Sequence, residues 1–180
     1  GEKLEASLGP DRVYWDRKVE PGCDWMDEFC EALASSRIFI ALVSRGAVND
    51  SSDMMRNWPT LTSSSQRDNV LLEYRLAAEL KEQGLLEKQF TVCFGDQDAA
   101  TGTYGDYWRN GCNPVGLPDV AVDSVEMTLR EQLVKLGLCE PLTEGAAATV
   151  KHTWAELTRV KGSVSTGSRE EVLNHAATML

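Results

Sequence analysis

The sequence predicts an α/β protein built on a parallel, doubly wound sheet. Unbroken apolar stretches at Ile38–Val43 and around Phe90–Phe94 suit buried strands, and a strand covered on both faces is the habit of parallel sheets. The stretches Val70–Leu80 and Val125–Leu136 carry apolar residues at helical spacing instead. Strand and helix alternate along the chain at distances that fit parallel crossover units.

The elements follow in order. Arg12–Trp15 is short, aromatic and β-branched, and reads as a strand that runs into the charged loop Asp16 to Gly22, closed by Pro21-Gly22. Asp24 is placed to cap the next helix, with Asp27 and Glu28 in its first turns and Trp25, Phe29 and Leu33 as its core face. Arg37–Ser44 is the buried strand. Ala47–Arg67 holds Asn-Asp-Ser-Ser, Trp58-Pro59 and a run of serines without a sustained period, and a connection this long in a compact domain is functional or mobile. Asp68 caps the helix that carries Glu73, which ends near Gly84. Phe90–Phe94 is the second buried strand, Gly95–Gly116 a glycine-rich surface loop, and Val125, Leu129, Leu133 and Leu136 mark a further amphipathic helix.

After Gly137 the character changes. Pro141–Ala148 is small and loop-like; Val150, Trp154 and Leu157 suggest one helix, Gly162–Ser168 a flexible joint, and Val172, Leu173, Ala176 and Leu180 another helix. Residues 1–138 are therefore expected to form the domain and 139–180 a helical appendage.

Composition narrows the function. A chain of 180 residues fits one domain of ordinary size with some residues to spare. The longest apolar run, Ile38–Val43, is far too short for a membrane span, and no export signal opens the chain. The five cysteines are scattered without a C-x-x-C pair, which speaks for reduced thiols in the cytoplasm and against a disulfide framework or zinc knuckle. Twenty-eight acidic against 18 basic side chains give a net charge of −10, which disfavours binding to nucleic-acid backbones but leaves room for a nucleotide held by local donors. Gly102-x-x-Gly105 lacks both the dinucleotide fingerprint and the G-K-[ST] ending of a phosphate loop, and His152 and His175 stand far in sequence from the thiols.

One acid stands out. In V-L-L-E-Y-R-L-A-A-E-L, Glu73 shares a stripe with Leu76, Ala77 and Leu80, and no Lys or Arg lies three or four residues away to pair with it, whereas Glu79 has Arg75 four residues before it. The bland alternative is a carboxylate at the edge of the stripe, bent into water.

The order of these features resembles the TIR domain, the Toll/interleukin receptor homology family. The resemblance covers Lys3 to Leu138 and is strongest in W-D-x-x-x-x-P-G-x-D-W at Trp15–Trp25, followed by S-S-R-I-F-I-A-L-V-S at Ser35–Ser44. It implies a flavodoxin-like sheet with helices on both faces. It further implies hydrolysis of NAD to nicotinamide and ADP-ribose or a cyclic or modified variant, upon self-association with other TIR domains in cell-death or innate-immune signalling. In the NAD-cleaving members the catalytic glutamate falls where Glu73 stands, and by the same resemblance Asp16, Gly22, Ser44 and Asn69 line the cleft. NAD enters as substrate; no metal or cofactor is implied. The family begins with a hydrophobic strand, whereas residues 1–8 here look like the end of its first helix, so that strand is expected upstream of Gly1. Two rivals are a noncatalytic TIR adaptor acting by assembly alone, and a receiver-like domain of the same topology, which would gather more acids at strand ends than Asp16 and Asp96.

Overall fold

A computed structural model describes residues 14, 25–48, 57–108, 114–159 and 163–178, and over these the protein is a mixed α/β structure. The elements are α1 (Trp25–Ala34), β1 (Ile38–Val43), α2 (Arg45–Val48), α3 (Asn69–Glu82), β2 (Lys88–Cys93), β3 (Thr103–Tyr104), α4 (Asp123–Lys135), α5 (Val150–Arg159), β4 (Ser163–Val164), β5 (Gly167–Ser168) and α6 (Arg169–Thr178). Turns of 3₁₀ helix form at Trp58–Thr60 and Gly145–Ala148. The expected strand at Arg12–Trp15, apart from Tyr14, and the Asp24 cap lie outside the described residues.

The sheet is parallel. β1 pairs with β2 from Ile38 opposite Lys88 to Val43 opposite Cys93, and β4 joins the other side of β2 through Val92 opposite Ser163 and Cys93 opposite Val164. Period-two alternation sorts the side chains. Ala41 and Val43 of β1, with Gln89, Thr91 and Cys93 of β2, are buried toward the main core. On the opposite face Val92 packs with Val172 of α6, and Ile40, Phe94 and Tyr104 close around them. β1 is thus not covered equally on both sides as expected: Ile38 is 36 % and Leu42 42 % exposed.

α3 is the central helix. Its N-terminus is capped by Asp68, whose carboxylate accepts from the Leu71 amide at 2.7 Å. Its C-terminus closes on Gly84 at φ 74°, with the Leu85 amide bonded to the Leu80 carbonyl and the Gly84 amide to that of Lys81. That pair of bonds is a Schellman motif, in which glycine takes the left-handed position without strain. α4 ends identically on Gly137, its successor Leu138 bonded back to Leu133. α3 packs against α1, α4, α5 and β2, which buries Leu71, Leu72, Leu76 and Leu80 completely or nearly so. Each such leucine stabilises the fold by about 2 kcal/mol.

Four expectations shift. α1 forms where expected, but its buried face is Met26, Cys30 and Leu33; Phe29 is half-buried and Trp25 is 38 % exposed. The connection before α3 is anchored, because Trp58 is fully buried between Tyr74 and Trp154 at ring separations of 5.9 and 6.2 Å. The segment expected as an appendage supplies Val150, Trp154 and Leu157 to the same core as α1, α3 and α4. It also contributes β4, and the Leu157 carbonyl accepts from the Thr91 hydroxyl of β2 at 2.7 Å. In place of a flexible joint, β5 pairs antiparallel with β3, and α6 starts on a capping box in which Ser168 and Glu171 exchange backbone-to-side-chain bonds.

Candidate functional site

The connection between two neighbouring parallel strands must carry the chain back to the edge where it started. Here the return is visible: the amides of Glu87 and Lys88, just after α3, both bond to the carbonyl of Arg37, just before β1. The end of α3 therefore lies at the amino edge of the sheet. With 14 residues the helix is about 21 Å long, close to the length of the six-residue strands, so its first turn reaches the level of the carboxyl ends at Val43 and Cys93, while Tyr74 in the second turn packs edge-on against Phe39 of β1 at 6.3 Å. Open α/β sheets take their ligands at that edge.

Two of the expected site residues, Ser44 and Asn69, stand at it, and Glu73 follows one turn into α3. Ser44 follows β1 directly and is half-buried; Asn69 opens α3 and is exposed, its side-chain oxygen accepting from Arg67 Nε at 3.1 Å; Glu73 lies one turn further on and is half-buried. Asp16 and Gly22 lie outside the described residues. Tyr74, next to Glu73, is buried, and its phenol is pushed up by burial first and then by the Glu73 carboxylate and the Cys93 thiol. Glu73 and the carboxyl end of β2 thus act on the same hydroxyl. Tyr74 belongs to an aromatic cluster with Phe39, Trp58, Trp154 and Tyr107, the last stacked on Trp154 at 6.4 Å.

Two residues at the edge were not in the expected set. Arg45 follows Ser44, and its Nη1 donates to Asp96 Oδ2 at 3.1 Å, joining the segments that leave β1 and β2. The signal available in the sequence was position alone: a cation immediately after a strand and an acid three residues beyond the next.

The acids of α3 are not distributed as its own spacing suggests. Glu79, expected to pair with Arg75 inside the helix, is completely buried and turns to the loop after α4: it accepts from the Leu142 amide at 2.7 Å, the Thr143 amide at 3.1 Å and the Thr143 hydroxyl at 2.6 Å, and from Gln83 Nε2 at 3.0 Å. Burial raises its pKa, but these four donors outweigh that and hold the carboxyl below its ordinary value. Arg75, 1 % exposed, forms a two-pronged bond with Glu126 at 2.7 and 3.0 Å and donates to the Thr143 hydroxyl and carbonyl. The pair is a structural clamp on Thr143. Of the other two acids of the helix, Glu82 in the last turn is exposed and Glu73 in the second turn is half-buried.

An open depression of about 330 Å³ lies at the other end of α3, lined by Glu82, Gln83, Leu85, Gly137, Leu138, Cys139 and Leu142. Nine helical steps separate Glu82 from Glu73, about 13 Å, so this hollow is not part of the carboxyl-edge site. Among the described residues no group of His, Cys, Asp and Glu is arranged to hold a metal ion, and no helix is long and apolar enough to cross a membrane. Comparisons with protein-family models, with curated proteins and with solved structures found no match.

Proposed function

We propose that the chain is a TIR-type module that cleaves the nicotinamide glycosidic bond of NAD when copies of it associate, in cytoplasmic cell-death or innate-immune signalling. In this reading β1, β2 and β4 are one half of a flavodoxin-like, doubly wound sheet, and Glu73 is the catalytic carboxylate. The observation that supports it is Glu73 itself, a half-buried carboxylate in the second turn of the helix whose first turn faces the carboxyl edge of the sheet. Nicotinamide departs neutral from a pyridinium, so no acid is needed to protonate it. The ribose carbon becomes electron-poor as the bond breaks, and a carboxylate facing it stabilises that charge. Water then adds at the same carbon and gives up a proton, leaving ADP-ribose, or a nucleophile within the same nucleotide closes a cyclic product. Asp16, Gly22, Ser44 and Asn69 serve as substrate contacts. The experiment is incubation of the chain with NAD across a range of protein concentrations. Nicotinamide should form at a rate that rises more steeply than protein concentration; no nicotinamide at concentrations where the chain is assembled removes the reading.

A second reading, the noncatalytic adaptor, is favoured by the exposure of Ile38 and Leu42 on one face of β1. Such apolar strand surface suits contact with another protein. Assembly without nicotinamide formation is its signature.

A further inference from the structure

We propose that Arg45, held by Asp96, binds the diphosphate of the dinucleotide, an inference that rests on the reading of Glu73 as the cleaving carboxylate. A chain with a net charge of −10 repels a substrate that carries two phosphates unless a local cation offsets the field. Arg45 is such a cation at the correct edge. It follows Ser44 at the end of β1, and Asp96 stands three residues after Cys93, which pairs with Val43 at the carboxyl end of β2. The other arginines with described partners are bonded so: Arg37 to Glu87 at the amino edge, Arg75 to the buried clamp, Arg130 to Glu140 and Glu144, Arg159 to Glu156, and Arg67, just before α3, to Asn69 and Thr128.

The geometry of the pair suits a ligand. Arg45 gives Asp96 a single bond, from Nη1, and the two side chains are 43 % and 56 % exposed. A guanidinium bound at one corner retains donors for a two-pronged contact with phosphate oxygens, and the carboxylate fixes where that fork points. Asp96 is in this scheme a positioning residue, and it also opposes the substrate's charge.

The test measures nicotinamide release from NAD and from nicotinamide riboside, which has the same scissile bond and no phosphate, by the parent chain, Arg45→Gln, Asp96→Asn and the control Arg37→Gln. Arg45→Gln should raise KM for NAD about tenfold, change kcat less than about twofold and leave the riboside reaction unaltered. Asp96→Asn should lower KM for NAD, opposite in sign, because the cation remains and the competing anion is gone. Arg37→Gln, which breaks an exposed ion pair at the other edge, should behave as the parent. An unchanged KM in Arg45→Gln, or an equal rise in Arg45→Gln and Asp96→Asn as a merely structural pair would give, overturns the assignment while the parent's activity leaves the cleavage reading intact. No nicotinamide from either substrate with the parent overturns the cleavage reading itself, and this assignment with it.

Discussion

Replacing Glu79 by glutamine isolates the clamp on Thr143, because the amide keeps the shape and loses one acceptor and the charge. The carboxylate receives four hydrogen bonds through two oxygens, two on each. Glutamine has one carbonyl oxygen to offer. Its best placement keeps that oxygen toward Leu142 and Gln83 and turns the NH₂ toward Thr143, whose hydroxyl can rotate to accept while its backbone N–H loses its acceptor. One buried orphan donor costs about 1–3 kcal/mol, and the surviving bonds lose their charge assistance, so the total is about 3 kcal/mol. For a chain of this size that is a fall in Tm of about 6–12 °C. Glu79 has a depressed pKa when folded, so its contribution is fully present above the unfolded value, about 4.3, and is lost as pH falls through the folded one. Urea denaturation at pH 7 and at pH 3.5 reads both effects: the gap between Glu79→Gln and the parent should be wide at the first and narrower at the second. A loss under about 0.5 kcal/mol at pH 7, the size expected of a surface site, refutes the clamp.

Two further predictions concern the core and the thiols. Trp58→Ala removes a fully buried ring from between Tyr74 and Trp154 and should cost about 3–5 kcal/mol in urea denaturation, whereas a residue of a solvated loop would cost almost nothing. Cys93 is buried, which pushes its thiol up to about 11, and Cys30 is buried too, while Cys139 is exposed. Among these three described cysteines, iodoacetamide at pH 8 should therefore label Cys139 first and reach Cys93 only on unfolding, as peptide mass mapping will show; equal labelling of the three contradicts the burial.

Local signals were legible in the sequence to within a residue or two. Asp68 and Gly84 bracket α3 because capping and left-handed closure depend on neighbours a few residues away. The strand at Ile38–Val43 was legible for the same reason: β-branched and aromatic residues in an unbroken run. What spacing does not encode is the identity of distant partners. Arg75 and Glu79 satisfy the helical pairing rule, yet both turn to Thr143, more than 60 residues on, since buried charges follow the best set of donors and acceptors rather than the nearest opposite charge. The contribution of residues 150–172 to the core rests likewise on contacts of α5 with α3, of β4 with β2 and of Val172 with Val92. In α1, Trp25-Phe29-Leu33 and Met26-Cys30-Leu33 have nearly the same period, and only the neighbouring elements decide which one turns inward. At the site, Ser44, Asn69 and Glu73 could be named from the resemblance, whereas Arg45 and Asp96 acquire meaning only when the two strand ends lie side by side.

Glu73→Gln tests the central claim most directly, because it alters one atom and one charge at a half-buried position of α3. The variant should keep the parent's melting temperature within about 2 °C, as expected for a half-exposed site. It should self-associate like the parent and release nicotinamide from NAD at least about a hundredfold more slowly, as loss of a charge that stabilises the transition state requires. A folded, assembled Glu73→Gln that releases nicotinamide at the parental rate would remove Glu73 from catalysis and contradict the account.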